Sequence, residues 1–179
     1  MKLNNYIKVY PDVLSLDVCN KIIETTAKDE FNRAGVGDNE MNVKIRNCWS
    51  KSLNKEFDKE VFTAVAKILD SYKNDFKYFE LGLTAEDTGY IHLLYKSSEN
   101  GEYKKHTDHF DLFPRLLSCS FLLNDNYIGG NFSFFDEEDE YIVPNKAGSA
   151  VVFPSNFCFP HAVLPVTKGE RHSIITWIH

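Results

Sequence analysis

Three side chains in this 179-residue chain have the types and spacing of a metal site: His106, Asp108 and His161. On an extended strand, residues two apart point to the same face, so His106-Thr107-Asp108 can offer an imidazole nitrogen and a carboxylate oxygen to one ion. The third ligand must come from another strand. His161 is placed for that, near the start of a β run after Phe153-Pro154-Ser155-Asn156-Phe157-Cys158-Phe159-Pro160. His-x-Asp, about 50 residues and then His is the order of a 2-His-1-carboxylate facial triad, which holds non-haem Fe(II) and leaves coordination positions open. Arg171 follows ten positions after His161. It is a fixed cation, suited to an anionic co-substrate bound beside the metal. A lone His-x-Asp is common in chains that bind no metal, and a lone arginine most often makes a surface ion pair. Together these residues define an iron-capable site.

The elements that must position them change character along the chain. Ser15 is an N-cap for a helix with Leu14, Val18, Ile22 and Ile23 at helical spacing, fading near Phe31. Ala34–Met41, with Gly35, Gly37 and Asn39, reads as a loop. A second helix is expected from about Asn54 to Tyr72, with Phe57, Val61, Val65, Ile68 and Leu69 as its apolar stripe. From about Thr88 the pattern becomes short β runs between turn signals: Tyr90–Tyr95, Leu116–Leu123, Asn131–Phe135 after the Gly129-Gly130 turn, Tyr141–Val143 and Ser149–Phe153. Two last runs surround His161 and follow Arg171. Two helices and then about eight short strands suggest helices packed on an antiparallel double sheet. The acidic stretch Asp136-Glu137-Glu138-Asp139 reads as a solvated turn.

Composition narrows the class. A hydrophobic content of 43%, a charged content of 26% and a net charge of −6 describe an ordinary globular chain. The length suits one domain over 1–179, with helical support about 12–75 and a β core about 88–178. No Lys/Arg block marks a phosphate-tracking surface, which makes a nucleic-acid partner unlikely on charge grounds; a local basic patch is expected around Lys104 and Lys105. No window has the run of apolar residues needed to span a membrane, and Met1–Tyr10 has no signal-peptide core. Cys19, Cys48, Cys119 and Cys158 are scattered without a C-x-x-C, as in reduced cytoplasmic proteins.

The C-terminal block sharpens the reading. His161-Ala-Val-Leu-Pro-Val-Thr-Lys-Gly-Glu-Arg171-His-Ser-Ile-Ile-Thr-Trp177 resembles the end of the prolyl 4-hydroxylase-like 2-oxoglutarate/Fe(II) oxygenases. Upstream, Tyr95, Tyr103, His106 and Asp108 are similar to the family's Y…Y-x-x-H-x-D. Gly129-Gly130-Asn131-Phe132 resembles its G-G-x-F/L turn, and Ala147–Phe153 resembles its A/P-G-x-A/L-V/L-x-F strand. The opening Tyr6–Ile23 looks like its strand-then-helix lead-in. The likeness is strong over about residues 90–178 and weak before them.

This resemblance implies a mainly β fold with N-terminal helices, a double-stranded β-helix (jelly-roll) core flanked by α-helices. It implies Fe(II) on His106, Asp108 and His161, and Arg171 paired with the distal carboxylate of 2-oxoglutarate. Tyr95 and Ser173 would lie beside the co-substrate, with Arg115, Tyr103 and Trp177 toward the substrate. His109, Phe110, Asp111 and Phe113 form a loop that could cover the substrate. His172 should face away from the site, and Cys158 reads as a buried small hydrophobe. A tyrosine that often assists the distal carboxylate is absent: its place is taken by Leu122. The implied reaction couples O2 and decarboxylation of 2-oxoglutarate, with ascorbate as reductant, to hydroxylation of an unactivated C–H. Asp108 points to hydroxylation, because related halogenases lack that carboxylate. Peptidyl proline is the substrate class nearest the resemblance; a free amino acid or another small molecule is the alternative. A non-catalytic, cupin-like metal-binding module has no need of Arg171.

Overall fold

The computed structural model describes residues 2–36, 40–79, 86–110 and 114–179. Gly37, Asn39, Asp111 and Phe113 lie outside the described residues. In chain order the elements are β1 (Lys8–Tyr10), α1 (Leu16–Thr26), β2 (Asn32–Arg33), β3 (Arg46–Asn47), β4 (Trp49–Ser52), α2 (Asp58–Asp75), β5 (Ile91–Lys96), β6 (Glu102–His106) and β7 (Leu117–Leu122). They continue with β8 (Ile128–Gly129), β9 (Phe132–Phe134), β10 (Tyr141–Val143), β11 (Ala150–Pro154), β12 (His161–Val163), β13 (Val166–Lys168) and β14 (Glu170–Ile178).

Two antiparallel sheets face each other. The larger has seven strands in the order β1-β11-β7-β14-β5-β4-β2; the smaller has five, β10-β9-β12-β6-β3. Strand alternation sorts the larger sheet into two faces. Leu117, Cys119, Phe121, Leu123 and Ile174 point outward and pack with Ile22 of α1 and Val61, Val65 and Ile68 of α2. Leu122, Val151, Phe153 and Ile175 point inward and meet Phe132, Phe134 and Val163 of the smaller sheet. The mainly β jelly-roll core with helices on one side matches the sequence expectation.

The differences lie in boundaries and short strands. Ser15 caps α1 through Val18 N–H, as expected, but the helix stops at Thr26 rather than near Phe31. The Thr26 hydroxyl donates to the Ile22 and Ile23 carbonyls, taking up the last turn locally. The second helix starts after a 3-10 turn and runs three residues past Tyr72. Within the expected loop, Val36 and Glu40 form an antiparallel bridge. β2, β3 and β4 were not expected; each has two to four residues and exists by pairing with distant chain, as Trp49 does with Leu94. The Lys104–Lys105 patch is internally neutralised: Lys104 pairs with Glu102 at 2.8 Å, and Lys105 with Asp136 at 3.5 Å and the Phe135 carbonyl. Cys158 is half-buried rather than buried, because it sits in a turn held by the Asn156 side chain. No described helix is long and apolar enough to cross a membrane.

His92 and His172 share the helix-side face, with His92 Nε2 and His172 Nδ1 3.1 Å apart. His172 is thus turned away from the inner cavity, as the alternation implied. Burial, then the charges of His172 and Lys51, push the His92 pKa down from 6.5 to about 3. Above pH 6.5 His92 is neutral both folded and unfolded. Between 6.5 and about 3 the unfolded chain takes up a proton that the folded chain refuses, so stability falls as pH falls, by about 1.4 kcal/mol per pH unit from this group. Denaturant unfolding at pH 7, 5.5 and 4.5 should show that slope, and His92→Gln should flatten it by about one proton. Equal slopes in the two proteins would refute the assignment.

Candidate metal centre and anion pocket

β6 and β12 pair so that His106 and His161 are register partners with ring centroids 4.3 Å apart. β6 ends at His106, so Asp108 lies just past the strand rather than on it. The chain still returns its carboxylate to the histidines, and the ligand-capable atoms of His106, Asp108 and His161 lie within 4.8 Å of one another. His106 Nε2 is 3.5 Å from Asp108 Oδ1, and His161 Nε2 is 3.6 Å from Asp108 Oδ2.

Each ring is oriented by its own strand. His106 Nδ1 lies 2.8 Å from the Lys104 carbonyl and His161 Nδ1 lies 3.1 Å from the Phe159 carbonyl. Nδ1–H donation to those oxygens puts both Nε2 lone pairs toward Asp108, the arrangement metal-binding histidines need. The Ser118 hydroxyl donates to Asp108 Oδ2 at 2.7 Å and is itself 2.8 Å from Ser155 Oγ. Burial lowers the His161 pKa to about 4, against the pull of Asp108. Burial alone would raise the Asp108 carboxyl; His161, His106 and the Ser118 hydroxyl outweigh it and hold it well below the usual carboxylate range. An anionic carboxylate beside a neutral imidazole nitrogen is the donor set of a divalent cation, so these residues fit Fe(II). Phe134 and Phe153 pack on His161, with Phe153 4.6 Å away ring to ring.

The triad opens on a cavity of about 390 Å³ between the sheets. Arg171 of β14 reaches into it and is 1% exposed. Its Nη1 donates to Ser173 Oγ at 2.7 Å, while Nε and Nη2 are buried with no hydrogen-bond partner among the described residues. The rings of Tyr95 and Phe132 face it at 5.2 and 5.3 Å. A buried guanidinium with unused donors matches a carboxylate, which would satisfy the fork.

Leu122 is fully buried and opposite Ser173 in register, so the strand supplies no hydroxyl there. Tyr127 does so from the turn. Its hydroxyl is buried with no hydrogen bond of good geometry among the described residues; burial raises its pKa and the Arg171 guanidinium beside it pulls the other way. Gly130 makes room for both side chains. Its φ is +65°, and an added Cβ would sit 2.9 Å from Arg171 Cδ and 3.1 Å from Tyr127 Cε2.

The other expected site residues gather at the same cavity. Tyr103 stacks on His106 with centroids 3.5 Å apart, Arg115 lies 3.7 Å over the Trp177 ring, and His109 and Phe110 line the wall. Sequence reasoning missed Ser118, Ser155, Tyr127 and Arg46. Ser118 and Ser120 alternate with Leu117, Cys119 and Phe121, and that alternation marks a polar inner face. Nothing in the sequence brings Arg46 to Tyr103.

Residues 91–179 match the family model of the 2OG-Fe(II) oxygenase superfamily. The chain is 36% identical over 75 residues to a PKHD-type hydroxylase of Psychrobacter sp., covering 41% of this chain and 28% of that protein. It is 31% identical over 90 residues to one of Parvibaculum lavamentivorans, covering 48% and 40%. The matches thus span well under half the length of these curated relatives. Among solved structures, a Pseudomonas putida prolyl-4-hydroxylase superposes with a TM-score of 0.75 at 25% identity, over 97% of this chain and 92% of that one. A Trichoplax adhaerens prolyl hydroxylase, solved with a hypoxia-inducible-factor degradation-domain peptide, gives 0.79 at 18% identity, over 97% and 83%.

Calorimetric titration with Mn(II) or Fe(II) under argon should show one site that is lost in His106→Ala, Asp108→Ala and His161→Ala. Ser118→Ala should keep the site but weaken it, by about 10- to 100-fold, because it releases the Asp108 carboxylate. An unchanged affinity in Ser118→Ala would remove that role.

Proposed function

The chain belongs to the 2OG-Fe(II) oxygenase superfamily, and on that premise we propose that it is an Fe(II)- and 2-oxoglutarate-dependent dioxygenase that hydroxylates an unactivated C–H, with peptidyl proline as its substrate class. The observation that carries the reading is Arg171: a buried guanidinium, two of its nitrogens unpartnered, opening on the same cavity as a His-Asp-His cluster. A purely metal-binding module has no use for that charge. Likeness to the Pseudomonas putida prolyl-4-hydroxylase over nearly the whole chain supports the substrate class.

In this reading His106, Asp108 and His161 hold Fe(II) through two neutral nitrogens and one carboxylate, leaving the remaining positions open. The bound iron supplies, with O2, the oxidising power that converts 2-oxoglutarate to succinate and CO2 and places a hydroxyl on the substrate. Arg171 clamps the distal carboxylate of 2-oxoglutarate far from the reacting carbon, so binding energy there positions the co-substrate. Ser173 accepts from Arg171 and keeps its own proton to donate to the same carboxylate; Tyr127 donates from the other side. Tyr95, Phe132, Phe153 and Ile175 line the cavity and exclude water from it. Arg115, Tyr103 and Trp177 stand at the mouth, where substrate enters. Ascorbate is the reductant, and the four free thiols suit a cytoplasmic setting.

With Fe(II), ascorbate and a library of proline-containing peptides, the protein should release succinate from 2-oxoglutarate and add one oxygen atom to a peptide, read by mass spectrometry. Intact iron binding with no succinate from any substrate would refute the enzyme reading. Arg171→Ala should keep the metal but raise the 2-oxoglutarate Kd at least about 100-fold, the loss of roughly 3 kcal/mol of charge-assisted hydrogen bonding. Tyr127→Phe should raise it about tenfold, by calorimetry on the Mn(II) form. An unchanged Kd in either variant would remove that residue from the co-substrate site.

A further inference from the structure

Two more arginines stand at the cavity mouth, and each is held in place. Arg46 of β3 is the register partner of Tyr103. Its guanidinium lies 4.7 Å over the Tyr103 ring, which in turn stacks on His106, and its Nη1 donates to the Gly35 carbonyl at 2.9 Å. Arg115 is sandwiched by Trp177 at 3.7 Å and Phe110 at 5.1 Å, and its Nη1 donates to the Asp108 backbone carbonyl at 3.3 Å. Both line the same cavity as the triad. Each is therefore anchored to a residue that adjoins or carries a metal ligand.

Neither has a carboxylate partner among the described residues. Arg33, by contrast, pairs with Glu99 at 2.7 Å. The Nε atoms of Arg46 and Arg115 are both buried without a hydrogen bond, and neither Nη2 has an oxygen partner among the described residues. Holding two guanidiniums together without a counter-charge costs stability unless a ligand repays it.

Counting charge leads to the ligand. A divalent ion and the 2-oxoglutarate dianion would cancel, which leaves Arg46, Arg115 and Arg171 facing the single carboxylate of Asp108. The excess is positive, and Arg46 and Arg115 stand where the primary substrate must sit. A neutral prolyl segment offers them carbonyl oxygens but no counter-charge, and a site built around polar groups discriminates against a ligand that leaves them unpaired. We infer that Arg46 and Arg115 form a second anion site, which binds a carboxylate of the primary substrate, so that the oxidised C–H lies on a carboxylate-bearing molecule. This rests on the hydroxylase reading and deepens it. The carboxylate can belong to a free amino acid, to a peptide C-terminus or to an acidic side chain; planar, pre-set forks recognise all three by the same chemistry.

The test uses the Mn(II) form saturated with 2-oxoglutarate under argon and measures binding without turnover, by calorimetry and by intrinsic tryptophan fluorescence. The probes are matched pairs: the common L-amino acids as free acids and as primary amides, their N-acetyl forms as acids and amides, and end-blocked proline peptides with Glu or with Gln beside the proline. The carboxylate member of at least one class should bind at least about tenfold more tightly than its neutral twin, and the class that does so identifies the source. That preference should fall below about threefold in Arg46→Gln and Arg115→Gln, and return in part in Arg46→Lys and Arg115→Lys, with melting temperatures confirming folded variants. If no carboxylate outperforms its twin, or if the preference survives both Gln substitutions, the inference is overturned. A carboxylate preference without any succinate release in the separate turnover assay would instead sink the hydroxylase reading and leave the anion site standing.

Discussion

The structure is organised around one expensive interaction, the burial of the Arg171 guanidinium with two nitrogens unsatisfied. An isolated charge in an apolar interior costs several kcal/mol, and among the described residues Ser173, the nearby Tyr127 and the faces of Tyr95 and Phe132 offset it. The chain tolerates this because Arg171 sits on β14, the middle strand of the larger sheet, hydrogen-bonded to β7 on one side and β5 on the other. Neither neighbour can move without breaking long ladders. The helices on the far face supply the apolar burial that keeps β14 in place. Gly130 does the rest by leaving the space that a Cβ would close.

The same alternation that buries the helices' partners creates the polar interior. On β7, Leu117, Cys119 and Phe121 face α1 and α2, which frees Ser118 to face the cavity and bond to Asp108. On β14, Ile174 and Ile178 face out, while Arg171, Ser173, Ile175 and Trp177 line the cavity. Core and site are thus two faces of the same strands. A one-residue slip of β7 or β14 would exchange them, so the helix packing also fixes which side chains reach the cavity.

How much of this was legible in the chain follows from range. Ser15 and the apolar stripe of α2 are local signals, and both helices formed, with their ends shifted by a few residues. The triad and Arg171 were legible because their residue types are rare in combination. Asp108 was placed on a strand yet lies just beyond its end; its carboxylate still reaches the two histidines, held from the next strand by the Ser118 hydroxyl. β2, β3 and β4 were invisible because strands of two to four residues carry too little periodicity, and the pairing of β3 and β4 is settled by residues far along the chain, as for Arg46 with Tyr103 and Trp49 with Leu94. Arg46 was missed for the same reason. The carbonyls of Lys104 and Phe159 that orient the histidines carry no residue-type signal at all, since any amino acid offers one.

The cavity's charges fall into two tiers, and their depth separates their roles. Arg171 is deep, almost fully buried and framed by aromatic faces, so it accepts an anion only by excluding water completely. Arg46 and Arg115 are half-buried, each with its guanidinium over an aromatic ring. In a low-dielectric cavity the first anion to arrive would go to the strongest field, beside the metal ligands and Arg171. Only after that pairing would the outer arginines be the dominant unpaired charge. On the proposed two-anion reading, the deeper cation would take its partner where solvent cannot compete, and the shallower pair would take a second anion where exchange is easier.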